Sequence, residues 1–275
     1  MAKLIYTNSR GHSIELGQSA PFIITELEGF SNVDNIIDSY QSVYQDGESV
    51  TNTKLSSRHL TIQGEFLYRN RQEGRNKLIR VFNPKLTGVL RYENLGIVKE
   101  INCIPERTPI IGGGNLSTAP YVINLYASHP FWLDEFDISE EVITWIGGMT
   151  FPLKLPTSFS MAGDKIINII NNGDIETPIK LEIYGPATNP KVLLRETGEF
   201  IKINKKLLSG DVLVITTDFG NKRVELNNQN VFNYIDYSST FFNLQQGDNV
   251  IELTTEDVND NANIKITYRN RFIGV

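Results

Sequence analysis

Between residues 166 and 268 the chain breaks into eight short apolar runs: 166–170, 179–184, 192–194, 200–203, 212–216, 222–226, 249–253 and 264–268. None exceeds six residues, whereas a helix needs roughly ten or more to declare itself through its period. Asn172-Gly173, Asn189-Pro190 and Gly210-Asp211 stand between them, and such dipeptides supply the left-handed or pre-set backbone of tight turns. Short strands at regular spacing with this punctuation predict an antiparallel sandwich or barrel. No G-x-G-x-x-G is present, and strands do not alternate with helices, so a doubly wound α/β fold is excluded.

The first half is also mainly strand. Leu4-Ile5-Tyr6 and Ile14-Glu15-Leu16 flank Asn8-Ser9-Arg10-Gly11, a turn composition, so a hairpin opens the chain. A strand over 22–28 follows. Residues 58–68 alternate, with Leu60, Ile62, Phe66 and Tyr68 on one face and His59, Thr61, Gln63 and Glu65 on the other, the pattern of a half-buried strand. Gly64 falls on the apolar face, marking a bulge or a close approach of another backbone. Strands resume over 88–93, 97–106 and 121–128.

One segment departs from this pattern. Asn70 is a good helix N-cap with Glu73 three positions on, Leu78, Ile79 and Phe82 share a face, and Asn83-Pro84 stops the run. A single helix is predicted over 71–82, its other face carrying Arg71, Arg75, Lys77 and Arg80.

Length and charge bound the rest. At 275 residues the chain has room for about two domains. Residues 1–135 carry a net charge of −1 and 136–275 a net of −5, and eight of the twelve arginines lie in the first part. That shift, with Pro130-Phe131-Trp132 ahead of an acidic stretch, sets the expected boundary between residues 1–133 and 134–275. A net charge of −6 excludes a general nucleic-acid binder, which needs positive charge to displace counterions from phosphates. The single Cys103 excludes a disulfide-stapled scaffold. No apolar run reaches the ~20 residues of a membrane helix, and no signal peptide is recognisable, so synthesis in the cytoplasm without membrane insertion is expected.

Candidate chemistry is sparse. Asp257-Val258-Asn259-Asp260-Asn261 begins like a calcium loop, but Ala262 and Tyr268 stand where the loop needs glycine and a bidentate glutamate. Gly112-Gly113-Gly114 lacks the Lys-Ser/Thr pair of a phosphate loop. His12, His59 and His129 have no metal-ligand spacing. Cys103, flanked by Ile101 and Ile104 in a strand-like run, reads as a small buried hydrophobe. Asp134, Glu135, Asp137, Glu140 and Glu141 could pair as carboxylates for glycoside hydrolysis, although acidic clusters beside a domain junction are usually just solvated. No catalytic residue, cofactor or metal is expected. The residues alone predict a two-domain, β-rich binding or structural protein.

The order of short motifs is more specific than any one of them. Leu27-Glu28-Gly29, Gln45-Asp46-Gly47, Arg58-His59-Leu60-Thr61-Ile62-Gln63-Gly64, a helix ending in Asn83-Pro84, and Gly88-Val89-Leu90-Arg91-Tyr92 follow one another in the first half. In the second come Asn172-Gly173-Asp174, Ile183-Tyr184-Gly185-Pro186, Asn189-Pro190, Thr197-Gly198-Glu199, Phe241-Phe242-Asn243-Leu244 and Ile264-Lys265-Ile266-Thr267-Tyr268-Arg269. Over almost its whole length the chain resembles the siphophage distal tail protein (Dit) family. That resemblance implies an N-terminal β-sandwich with one helix that builds a hexameric ring, and a galectin-like C-terminal β-sandwich. It further implies a virion location at the tail tip, single or stacked rings, and partners in the tail tube, the tail hub and the receptor-binding baseplate proteins, with no catalysis.

A ring needs two different complementary patches on each subunit. The aromatic and β-branched stretch 36–44 suits an edge strand that pairs with a neighbour, or an ordinary internal strand, and the loop 109–120 suits an arm embracing an adjacent subunit. Ile37, Tyr40, Val43, Tyr44, Ile110 and Ile111 are the expected interface residues. The alternative function is a carbohydrate-binding sandwich contacting host glycans through Trp145, Phe151 or Tyr237.

Overall fold

The structure is a computed structural model that describes residues 2–67, 71–115, 118–142, 165–257 and 260–275. It is mainly β with one α-helix, and the chain packs as two compact units: Met1–Glu135 together with Phe272–Val275, and Phe136–Arg271.

In the first unit the chain runs β1 (Lys3–Asn8), β2 (Ser13–Leu16), β3 (Phe22–Glu28), β4 (Asn35–Tyr40), β5 (Ser49–Leu55), β6 (Arg58–Leu67), α1 (Arg71–Val81), β7 (Gly88–Asn94), β8 (Ile97–Pro105), β9 (Ile110–Ile111), β10 (Thr118–Ala127) and β11 (Trp132–Asp134). The antiparallel sheet has the order β2-β1-β7-β8-β10-β6-β3, with β9 on β10 and β11 on β8. Its two outer strands meet at a Gly17–Ile23 bridge, where the Ile24 N–H donates to the Gly17 carbonyl at 2.7 Å, so the sheet curls back on itself.

β6 shows why these residues form this sheet. Leu60, Ile62 and Phe66 are fully buried, while His59, Gln63 and Glu65 face outward and pair there: His59 Nδ1 lies 2.5 Å from Glu106 and Gln63 donates to Glu26 at 2.9 Å. Gly64 is where another backbone comes close. A Cβ at this position would sit 2.1 Å from the Ile23 carbonyl oxygen and 2.5 Å from the Tyr121 hydroxyl. The helix buries Gly74, Leu78 and Val81, with Phe82 completing the contact just beyond it. Asn8 supplies its C-terminal cap, donating to the Val81 carbonyl at 2.9 Å and satisfying an acceptor the helix cannot. The expected N-cap, Asn70, lies outside the described residues.

Arg58 begins β6 on the same inward face and is 2% exposed. It has no carboxylate partner among the described residues. Its Nε donates to the Pro130 carbonyl at 2.7 Å, one terminal nitrogen donates to Gly29, Phe30 and Asn32 at 2.7, 3.0 and 2.9 Å, and the other donates to Ile273. Burial lowers its pKa below the ordinary arginine range, and the carbonyl cage compensates the charge. Trp132, fully buried, donates to the Phe30 carbonyl at 3.0 Å and packs 5.6 Å from the Phe30 ring. The closing residues return here: Ser31 donates to the Val275 carbonyl at 2.7 Å, and Lys99 Nζ stands 3.2 Å over the Phe272 ring.

The second unit is a sandwich. One sheet orders Ile138–Val142, Asn263–Tyr268, Ile179–Tyr184, Val212–Thr216, Arg223–Leu226 and Gln229–Asn230; the other orders Lys165–Asn171, Gly247–Thr254, Lys191–Leu194 and Phe200–Lys202. Inward residues of both, among them Leu181, Ile183, Ile215, Val192, Ile251 and Ile266, share one core. Asn227 and Asn228 make the turn between two of its strands at φ 49° and 64°, a conformation asparagine tolerates well.

Candidate assembly surface

β4 and β5 form a two-stranded hairpin that pairs with no other strand among the described residues. Every residue of β4 is exposed, and the stretch 36–44 is not one strand: it ends at Tyr40, and Val43 and Tyr44 lie in the turn that leads to β5, a partner strand the sequence did not announce. Adjacent strand residues point to opposite faces, so Ile36 and Ile37 make both faces of the hairpin apolar. Tyr40, Val43 and Val50 extend the surface; Ile37 is 56% exposed and Tyr44 fully so. Polar contacts hold the hairpin to itself: Thr51 donates to the Asp38 carbonyl at 2.8 Å and Gln45 to the Ser49 hydroxyl at 2.9 Å. A lone two-stranded hairpin is marginal in water, and exposed apolar patches of this kind mark protein interfaces.

The loop 109–120 is tied back. β9 pairs with β10, Ile111 opposite Tyr121 and Ile110 opposite Val122, and Arg71 donates to the Gly112 carbonyl at 2.6 Å. Ile110 is exposed, whereas Ile111 packs against the core of the first unit.

The remaining candidates have structural partners. Cys103 is buried, and desolvation pushes its thiol up to about 12, away from the thiolate a nucleophile needs. Asp134 accepts from Lys99 at 2.6 Å, Glu135 from Arg91, and Asp137 lies 3.7 Å from Arg269. Asp260 accepts from the Thr188 backbone amide, while its own carbonyl accepts from the ammonium of the buried Lys165 at 3.1 Å. Among the described residues no group of three or more His, Cys, Asp or Glu is placed to hold a metal. Tyr237 is fully exposed; Trp145 and Phe151 lie outside the described residues.

Two family profiles match, one on each part of the chain: the phage tail protein RIFT-related domain over residues 9–117 and the C-terminal domain of the siphovirus-type tail component over 172–272. No match is found among curated protein sequences. Among solved structures, the chain is similar to Dit (gp 19.1) of phage SPP1, described as a paradigm of the hub adsorption apparatus in phages infecting Gram-positive bacteria. That likeness has a TM-score of 0.72 at 13% identity and covers 98% of this chain and 99% of that one. A chain of the phage p2 baseplate in its activated conformation with Sr is similar at TM-score 0.50 and 11% identity over the full length of both. At such identities the structural likeness is one of fold, and it agrees with the two profiles. The chain therefore belongs to the siphophage distal tail protein family, structural components of the phage tail and its baseplate hub.

Proposed function

We propose that six copies of this chain close into a ring at the distal end of the tail, single or stacked, joining the tail tube to the baseplate hub and the receptor-binding proteins. The observation that carries this reading is the hairpin β4–β5, whose apolar side chains lie on both faces and which pairs with no third strand among the described residues. Laid on a neighbouring copy, Ile37, Tyr40, Val43 and Tyr44 leave water. Ile110 adds a smaller contact, supported from beneath by Ile111. Each copy then gives an arm to one neighbour and receives one from the other, the head-to-tail geometry that closes into rings. The role is mechanical and needs no catalysis.

Light scattering after size exclusion, over a concentration series, tests it. A closed hexamer of 31.1 kDa chains has a mass of about 187 kDa, and stacked rings twice that. Replacing Ile37, Tyr40 and Tyr44 together by serine is expected to leave a folded monomer. Assembly of that variant at wild-type concentrations would sink the arm as the interface.

A further inference from the structure

Two of the five non-glycine residues with positive φ among the described residues are large, apolar and exposed. One is Tyr44 in the β4–β5 turn; the other is Leu95, φ 49° and 89% exposed, in the Leu95-Gly96 turn joining β7 to β8. The other three are asparagines, which suit that conformation. A two-residue turn with both φ angles positive favours Asn-Gly, so leucine here is conformationally unfavourable, and its side chain makes no use of the core. Ile97, 54% exposed, stands beside it and enlarges the knob.

The same hairpin ends, at its other extreme, in a pocket. Gly88 pairs with Cys103 there, six residue steps from the Asn94–Ile97 pair at the turn, or about 20 Å at ~3.4 Å per residue. The pocket has a volume of about 450 Å³ and is walled by Val89, Cys103, Ile104 and Tyr126, with Thr87 and Ser128 adding hydroxyls. Charge differs between the two ends. At the pocket end the Ser9 amide donates to the Thr87 carbonyl at 2.8 Å, which sets the turns of Arg10 and Lys85 side by side, and both cations are exposed and without an ion pair among the described residues. Toward the turn end Lys3 and Arg91 face three carboxylates, Glu15, Glu93 and Glu135.

We propose that the β7–β8 turn of one copy seats Leu95 and Ile97 in the pocket at the far end of the same hairpin in the next copy. This rests on the ring reading and adds a second contact to it, independent of the β4–β5 arm. An apolar knob meets a largely apolar pocket, and an acidic rim meets a basic one. Because knob and pocket lie at opposite ends of one hairpin, the contact is head-to-tail and repeats on every copy.

The decisive variant is Leu95→Cys with Ile104→Cys, oxidised mildly and mapped by peptide mass spectrometry. A disulfide needs Cα atoms within about 7 Å, so a 95–104 link within one chain is excluded and any such link joins two copies. The expected result is a 95–104 link and a ladder of covalent multimers. Absence of that link while the protein is assembled overturns the knob and leaves the ring standing. A second variant separates contact from folding. Leu95→Asn should leave the melting temperature unchanged or higher, yet raise the concentration for half-assembly by roughly tenfold or more, as removal of an interface anchor does. Assembly equal to wild type also overturns the knob. If the wild-type chain stays monomeric at every concentration, the ring reading falls, and the 95–104 link then decides the knob by itself.

Discussion

The hairpin β4–β5 and the strand β6 lie three residues apart in the chain and share a composition rich in aliphatic, aromatic and hydroxyl side chains. Their fates are opposite. In β6, paired between β10 and β3, the apolar residues recur every second position from Leu60 to Phe66, and Leu60, Ile62 and Phe66 are fully buried on one face, with only Leu67 at the strand's end exposed on the other. In β4 the apolar residues are adjacent, Ile36 beside Ile37, and no single sheet face can bury both. Apolar content therefore does not decide what becomes core. Its period does, because a strand offers one face to its own protein and the other to whatever comes next.

The sharpest way to break this comparison is to remove the polar side chain that behaves like core. Arg58→Met removes the guanidinium that five carbonyls now share, leaving only Phe30 with the Trp132 indole as a side-chain donor, and a loss of about 3–5 kcal/mol in urea unfolding is expected, the scale of breaking a buried charged network. Arg58→Lys should recover little, since an ammonium has three donors and no planar fork. A loss below about 1 kcal/mol for either would show the cage to be incidental.

Truncation then tests the two regions side by side. Leu60→Ala should cost about 2–5 kcal/mol through the cavity it leaves, whereas Ile37→Ala should change monomer stability by no more than ~0.5 kcal/mol. Comparable losses would mean the hairpin packs within its own chain. Gly64→Ala probes the same inward face by addition. Its methyl meets the Ile23 carbonyl, which cannot move without its strand, so about 1–3 kcal/mol should be lost, read from the shift in melting temperature.

The smallest effect belongs to the outward face of the second unit. The Lys180 ammonium, 2.6 Å away, holds the Glu182 carboxyl below the usual glutamate range, with the Tyr184 hydroxyl helping. A carboxyl depressed in the folded state stabilises above its unfolded pKa and loses that contribution as pH falls through the folded value. The pair is partly solvated, so less than ~1 kcal/mol is expected. Glu182→Gln should lower stability at pH 7 by that same amount, less than ~1 kcal/mol, and flatten the decline below about pH 4.5, where the carboxylate's contribution is lost in the wild type as well. An unchanged acid limb would remove Glu182 from the account.

Local pattern carried most of the architecture into view. The opening hairpin, the alternation of β6, the close approach at Gly64, the one helix with its Asn83-Pro84 stop, and the strand-and-turn rhythm of the second unit are written in neighbours a few residues apart, where period and turn chemistry act. What stayed hidden is non-local. Arg58 reads as a polar residue ahead of an apolar strand, and nothing nearby reveals that carbonyls from residues 29–32, 130 and 273 will converge on it. The return of residues 272–275 to the first unit is invisible for the same reason. Among the surface candidates, the sequence singled out Ile37, Tyr40, Val43 and Tyr44 by composition. It could not show that β5 would pair with β4 in a hairpin with no third strand among the described residues, nor that Ile111 would turn inward while Ile110 stayed out. The sequence by itself determined most of the strands, though not β5, and the apolar face of those that alternate, because both follow from alternation along the chain. Only the tertiary structure decided which apolar faces find cover, because cover comes from segments distant in sequence.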